Sequence, residues 1–114
     1  MLMVVNNPRK NKMSQVDIVV FRRWKNGGDV IALFPELPAD VHGRYCDAYE
    51  HIGQHGGADY HGVIRKTKPC SLDAAADLAD ELRTIGYRLR PVRRANRKHH
   101  EMRQRLASDL RKAV

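Results

Sequence analysis

Residues 16–37 read VDIVVFRRWKNGGDVIALFPEL, two strand-prone runs around a glycine-containing turn. Two runs, 16–24 and 29–37, are rich in Val, Ile, Leu and Phe. Such residues favour strands because β-branched and aromatic side chains pack well on a pleated surface. Between the runs stands Lys25-Asn26-Gly27-Gly28. An Asn-Gly pair supplies the positive φ angles of a tight hairpin turn, so 16–37 is predicted to be an antiparallel hairpin. Trp24 beside the turn reads as a packing residue. Pro35 and Pro38 are expected to end the second strand, since proline cannot donate to a ladder.

Outward from the hairpin, 40–43 reads as a turn and 44–52 as a third strand. Its alternation sets Tyr45, Asp47, Tyr49 and His51 on one face and Cys46, Ala48, Glu50 and Ile52 on the other. Neither face is cleanly apolar. The segment 53–68 is ambiguous: three glycines near its start weaken a helix, yet Tyr60, Val63 and Ile64 could line one side of a short one. The spacing of Leu72, Ala75, Ala76, Ala79, Leu82 and Ile85 predicts a helix over 72–85. Ser71 would be its N-cap, Asp73 would lie in its first turn and Gly86 would terminate it. Residues 87–92 alternate as a fourth strand with basic residues outward, and Pro91 makes it an edge strand or ends it early. A second helix is expected over 95–114, with Met102, Leu106, Leu110 and Ala113 as its apolar stripe.

The fold class predicted is therefore α+β, a three-stranded antiparallel meander plus a fourth strand, one packed helix and a basic C-terminal helix. The expected division is a polar, mobile N-terminal arm over 1–15, an α+β domain over 16–94 and the basic helix over 95–114. A chain of 114 residues with 42% apolar content can bury a modest core. Two cysteines, Cys46 and Cys70, make no disulfide scaffold, and no apolar run is long enough for a secretory leader or a membrane span. A cytoplasmic location with reduced thiols is the expectation.

Charge is the strongest functional clue. Residues 1–82 carry 10 Lys/Arg against 11 Asp/Glu, whereas 83–114 carry 11 against 2. The whole net charge of +8 thus sits in the last 32 residues. A near-neutral body with a cationic end is suited to an anionic partner: nucleic acid, an acidic or nucleic-acid-binding protein, or an anionic membrane surface. The candidate contact residues are Arg88, Arg90, Arg93, Arg94, Arg97, Lys98, Arg103 and Arg105, because arginine forks match phosphate oxygens. Aromatic stacking residues are lacking after Tyr87, and no helix-turn-helix, zinc-finger or RNA-recognition signature is present.

A second constellation is His51, His55, Asp59 and His61, spaced around glycines. His55 and Asp59 are four apart, and an aspartate can fix a histidine tautomer for base catalysis or ligation. Gly53 argues against one helix carrying both His51 and His55, and no fourth ligand stands at a metal-site spacing. The plainer reading is a polar network satisfying a glycine-rich turn. No catalytic motif, metal site or cofactor is assigned. Asp47 and Glu50 fall on opposite strand faces and form no acid/base pair.

The runs Asp29-Val-Ile-Ala-Leu-Phe-Pro-Glu36, His51-Ile-Gly-Gln-His-Gly56, Asp59-Tyr60 and Ile85-Gly-Tyr-Arg-Leu-Arg90 resemble a group of small uncharacterised bacterial proteins, also found on phage-like elements. The likeness covers about residues 16 to 94 and rests on the HIGQHG run. It implies no activity, because none is assigned to that group. The functional expectation is a small non-enzymatic binding protein of phage or mobile-element type, contacting nucleic acid through its basic C-terminal surface. The alternatives are a protein-binding inhibitor such as an anti-CRISPR factor, and a histidine metal site or enzyme at 51–61. A homodimer through Met102, Leu106 and Leu110 would pair two basic faces.

Overall fold

The structure is a computed structural model that describes residues 16–50 and 54–113. In chain order these residues form β1 (Asp17–Trp24), β2 (Val30–Pro38), β3 (Cys46–Glu50), β4 (Gln54–Ala58), α1 (Tyr60–Lys66), β5 (Thr67–Pro69), α2 (Ala76–Ile85), β6 (Leu89–Pro91) and α3 (Arg97–Ala113). The strands make one sheet in the order β4-β3-β2-β1-β5, with β6 also paired to β1. The α+β class, the meander, the packed helix and the C-terminal helix are all present. No helix of the described residues is long and apolar enough to cross a membrane.

The hairpin β1–β2 pairs Val20 with Leu33 and Arg23 with Val30. Its turn differs from the two-residue Asn-Gly form. The ladder closes at the Trp24 amide on the Asp29 carbonyl, and among the loop glycines only Gly28 has positive φ, at 80°. A four-residue loop is thereby made, and the left-handed position falls at its last residue. β2 also runs past Pro35 to Pro38. It does so by leaving the ladder: the pairing moves from Phe34–Asp47 to Pro38–Cys46, and 35–37 bulge between them.

Both faces of the sheet are covered. On one, Val19, Phe21, Ala32, Phe34, Tyr49 and Tyr87 pack with Leu78, Ala79 and Leu82 of α2. On the other, Val20, Ile31, Leu33, Cys46 and Ala48 pack with Tyr60, Val63 and Ile64 of α1. This explains why neither face of β3 looks apolar in sequence: each is half of a different core. β4 is the glycine-rich run of the ambiguous segment, and α1 follows it, so that segment divides into strand, helix and the short β5.

α2 begins at Ala76 and not at residue 72. Ser71 accepts the Ala74 amide on its hydroxyl and the Ala75 amide on its carbonyl, capping a turn ahead of the helix. The buried line is accordingly Ala75, Leu78, Ala79 and Leu82, while Leu72 is 63% exposed and Ile85 lies at the surface. Gly86 ends the helix with φ +126°.

α3 crosses the end of the sheet. Ala95 just before it packs in the α1-side core, and Leu106 packs against the α2-side core. Its buried line is not the predicted stripe. Arg103 and Ala107 are buried, Met102 and Leu106 are half-buried, and Leu110 and Ala113 are exposed. The reason is Arg103, which leaves the predicted basic surface for the interior. Its Nε donates to the Gly43 carbonyl at 2.9 Å and its Nη1 to the Pro35 carbonyl at 2.6 Å. Gln104 Nε2 donates to the same Gly43 oxygen at 2.8 Å. Gly43 sits at φ +71°, and a Cβ there would stand 3.0 Å from Ala107 Cβ. Only glycine meets both demands at once.

Replacing Arg103 with Met leaves the Pro35 carbonyl and much of the Gly43 carbonyl without a donor. Arg103→Met is expected to lower the unfolding free energy by about 2–4 kcal/mol, since each hydrogen bond to a charged group contributes roughly 1.5–3 kcal/mol. The exposed Arg105→Met should change it by less than about 0.5 kcal/mol. Urea denaturation of both variants checks the contrast.

Candidate functional site

The basic residues gather at the outer edge of β1. β5 occupies one half of that edge, pairing Pro69 with Arg22, Lys68 with Arg23 and Thr67 with Trp24. β6 occupies the other half in parallel, pairing Leu89 with Asp17 and Pro91 with Val19. The Val92 amide then donates to the Val19 carbonyl at 2.8 Å, and the Ala95 amide to the Tyr60 hydroxyl at 2.8 Å. Residues 93–94 are thus pinned between two anchored positions, and α3 starts immediately beyond. Arg88, Arg90, Arg93, Arg94, Arg97 and Lys98 are all exposed along this path, whereas Arg105 is exposed further along α3.

Three cations that sequence reasoning missed join them: Arg22, Arg23 and Lys68. They come from the near-neutral body, so the tail's charge excess did not flag them. The available signal was two consecutive arginines inside an otherwise apolar strand. Arg22 is oriented by Thr67 Oγ1 at 2.9 Å, the Thr67 carbonyl at 2.9 Å and the Ile64 carbonyl at 3.2 Å. Its pKa lies below the ordinary guanidinium value, chiefly through burial and also through the nearby positive charges of Arg94 and Arg93, with Tyr60 and Cys70 acting in the opposite sense. Arginine remains charged regardless. Arg23 donates from Nε to the Gly28 carbonyl at 2.9 Å and stands directly across the ladder from Lys68. Like charges opposed across a ladder are destabilising, so the fold tolerates a repulsive edge here. Among the described residues none of these cations forms a salt bridge.

The start of α3 is also unusual. Asn96 Oδ1 accepts the His99 amide, and His99 Nδ1 accepts the Asn96 amide, both at 3.1 Å. This is a reciprocal cap with histidine in the place usually held by Glu. The first turn holds no acid to balance Arg97 and Lys98. Positive side chains beside a helix N-terminus add to its positive end, which favours anions.

The histidine constellation does not assemble. His51 lies outside the described residues, with Ile52 and Gly53 of the HIGQHG run. His55 pairs with Tyr49 across β3–β4 and its Nε2 is 3.2 Å from the Tyr87 hydroxyl, on the α2 side. His61 packs on Tyr60 and His100, on the α1 side, so the sheet separates the two histidines. Asp59 precedes α1 without a side-chain cap bond. No group of three or more His, Cys, Asp or Glu among the described residues could hold a metal ion. Cys46 and Cys70 are both free thiols and belong to opposite faces of the sheet. Burial pushes the Cys46 pKa up to about 12, which makes it an inert core residue.

The structure instead brings His61 and His100 together, ring centroids 5.3 Å apart, beside Tyr60. His100 Nδ1 lies 2.8 Å from Arg103 Nη1. Arginine only donates, so Nδ1 must accept and the ring must be neutral. The His100 pKa is lowered accordingly, by burial first and then by Arg103, His61 and His99. Compared with known proteins, the chain matches no family model, no curated protein and no solved structure.

A lowered His100 pKa means that the unfolded chain takes up a proton near the ordinary value of 6.5 before the folded chain does. The contribution to stability is therefore present above that value and is lost as pH falls toward the folded pKa. Unfolding free energy should drop between about pH 7.5 and about pH 5.5, and the drop should be smaller in His100→Gln. Denaturant titrations at the two pH values check the difference.

Proposed function

We propose that this chain is a small non-enzymatic binding protein whose basic sheet edge contacts nucleic acid. One observation carries the reading: Arg22, Arg23, Lys68, Arg90, Arg93 and Arg94 come from separate segments to one edge with no acid paired to them. Holding like charges opposite one another costs stability, and a polyanion would offset that cost on binding. Nucleic acid fits better than an acidic protein face because the site is rich in arginine and spread along extended backbone. The proposal includes a phage or mobile-element setting for a small accessory factor of this kind.

Phosphate contact predicts steep salt dependence. For about six neutralised phosphates, affinity should fall about 10³-fold between about 50 and about 200 mM salt. Fluorescence anisotropy with a labelled nucleic acid at several salt levels measures this. Absence of binding to any polyanion at the lowest salt contradicts the reading.

A further inference from the structure

The basic edge has two sides, and their arrangement selects among nucleic acids. Strand residues alternate between faces, so Arg22 and Arg23 point to opposite sides of the sheet. Arg23 follows Val19 and Phe21 on the α2 side and shares that side with Lys68, its direct ladder partner. Arg22 follows Val20 on the α1 side, and its guanidinium is tied to the end of α1. Val92 and Ala95 pack in the α1-side core and hold Arg93 and Arg94 between them, close enough for both charges to act on Arg22, so they join its row. Two rows of cations therefore flank one strand edge, each fixed to the sheet by backbone hydrogen bonds.

What the edge lacks is equally informative. Single strands are held by stacking on exposed aromatic side chains. Here Tyr60 is buried, and the Trp24 indole donates to Glu50 at 2.7 Å across the sheet. The one exposed large aromatic among the described residues, Tyr45, leads into β3 and its Cβ lies by Gly57 of β4, at the opposite edge. Adenine edges are read by amides such as Asn and Gln, and guanine edges by a free arginine fork. Arg22 has Nε and Nη2, and Arg23 has Nε, already donating to Thr67, Ile64 and Gly28 oxygens. Asn96 is spent on its cap and Gln104 on Gly43.

We infer that the ligand is a double-stranded nucleic acid, held without base readout by its two phosphate strands, one on the Arg23–Lys68 row and the other on the Arg22–Arg93–Arg94 row. This rests on the nucleic-acid reading above. Duplex geometry presents two phosphate lines at a fixed separation, which two fixed rows can meet together. A single strand offers one line and cannot occupy both rows without folding back.

The test is anisotropy at fixed low salt with four labelled probes: two DNA duplexes of unrelated sequence, an RNA duplex and a single strand of equal length. Two variants accompany the wild type, Arg23→Gln/Lys68→Gln and Arg93→Gln/Arg94→Gln, each checked for an unchanged thermal melt. The two DNA duplexes should bind equally, and at least one duplex type at least about tenfold tighter than the single strand. Each variant should reduce the slope of log affinity against log salt by about 1.8, since each phosphate contributes about 0.9. The comparison of DNA with RNA duplexes tells which supplies the phosphates. Single-strand binding equal to duplex binding, a preference between the two sequences, or a slope change in only one variant overturns the inference while leaving nucleic-acid binding intact. Failure of every probe to bind removes the underlying reading as well.

Discussion

Arg103 donates to the Pro35 and Gly43 carbonyls from inside the protein, and much of the architecture hangs on that contact. The bulge at 35–37 takes β2 out of its ladder, which strands a backbone carbonyl where proline already removes a donor. A guanidinium with five donors satisfies it and still reaches the 39–45 loop. Because the same side chain is anchored at α3, one residue fixes three elements: the bulged strand, the loop and the C-terminal helix. Arg111 extends the attachment by donating to the Val41 carbonyl at 2.7 Å. With α3 fixed, His100 is held against His61 and Tyr60, and the first turn of α3 is set at the end of the basic edge.

The outer edge of β1 is where the cations gather. β1 accepts two short strands side by side, β5 antiparallel and β6 parallel. Asp17 holds the entry to β6, its amide donating to the Arg88 carbonyl at 2.6 Å and its Oδ2 accepting the Arg88 amide at 3.3 Å. Segments remote in sequence thereby deliver cations to one place. Charge segregation along the chain and charge segregation on the surface are then different quantities. The tail holds the net excess, but Arg22, Arg23 and Lys68 come from a segment whose net charge is −1.

Local signals made part of this legible. The β1–β2 hairpin announced itself through β-branched runs around Asn26-Gly27, and Gly86 marked the end of α2. Other elements depend on contacts that no local window contains. β4 is a run of Gln-His-Gly-Gly-Ala whose strand character comes from pairing with β3, because glycine has little preference of its own. β5 spans three residues and exists only as a partner of β1. The buried line of α3 departs from its apolar spacing for a similar reason. Arg103 is one of several arginines in a basic run, and it is buried because two carbonyls await it. In the histidine constellation, His55 and His61 fall on opposite faces of the sheet, a division invisible without the strand that separates them.

α3 is held in the fold by the Arg103 contacts and so presents its basic start in a fixed place. Native-state hydrogen exchange of the α3 amides around Arg103 to Ala107 tests this most directly. The account predicts protection comparable to that of the paired amides of β1 and β2, lost together with them on global unfolding. Rapid exchange of those α3 amides, as from a free helix, while β1 and β2 stay protected would contradict it.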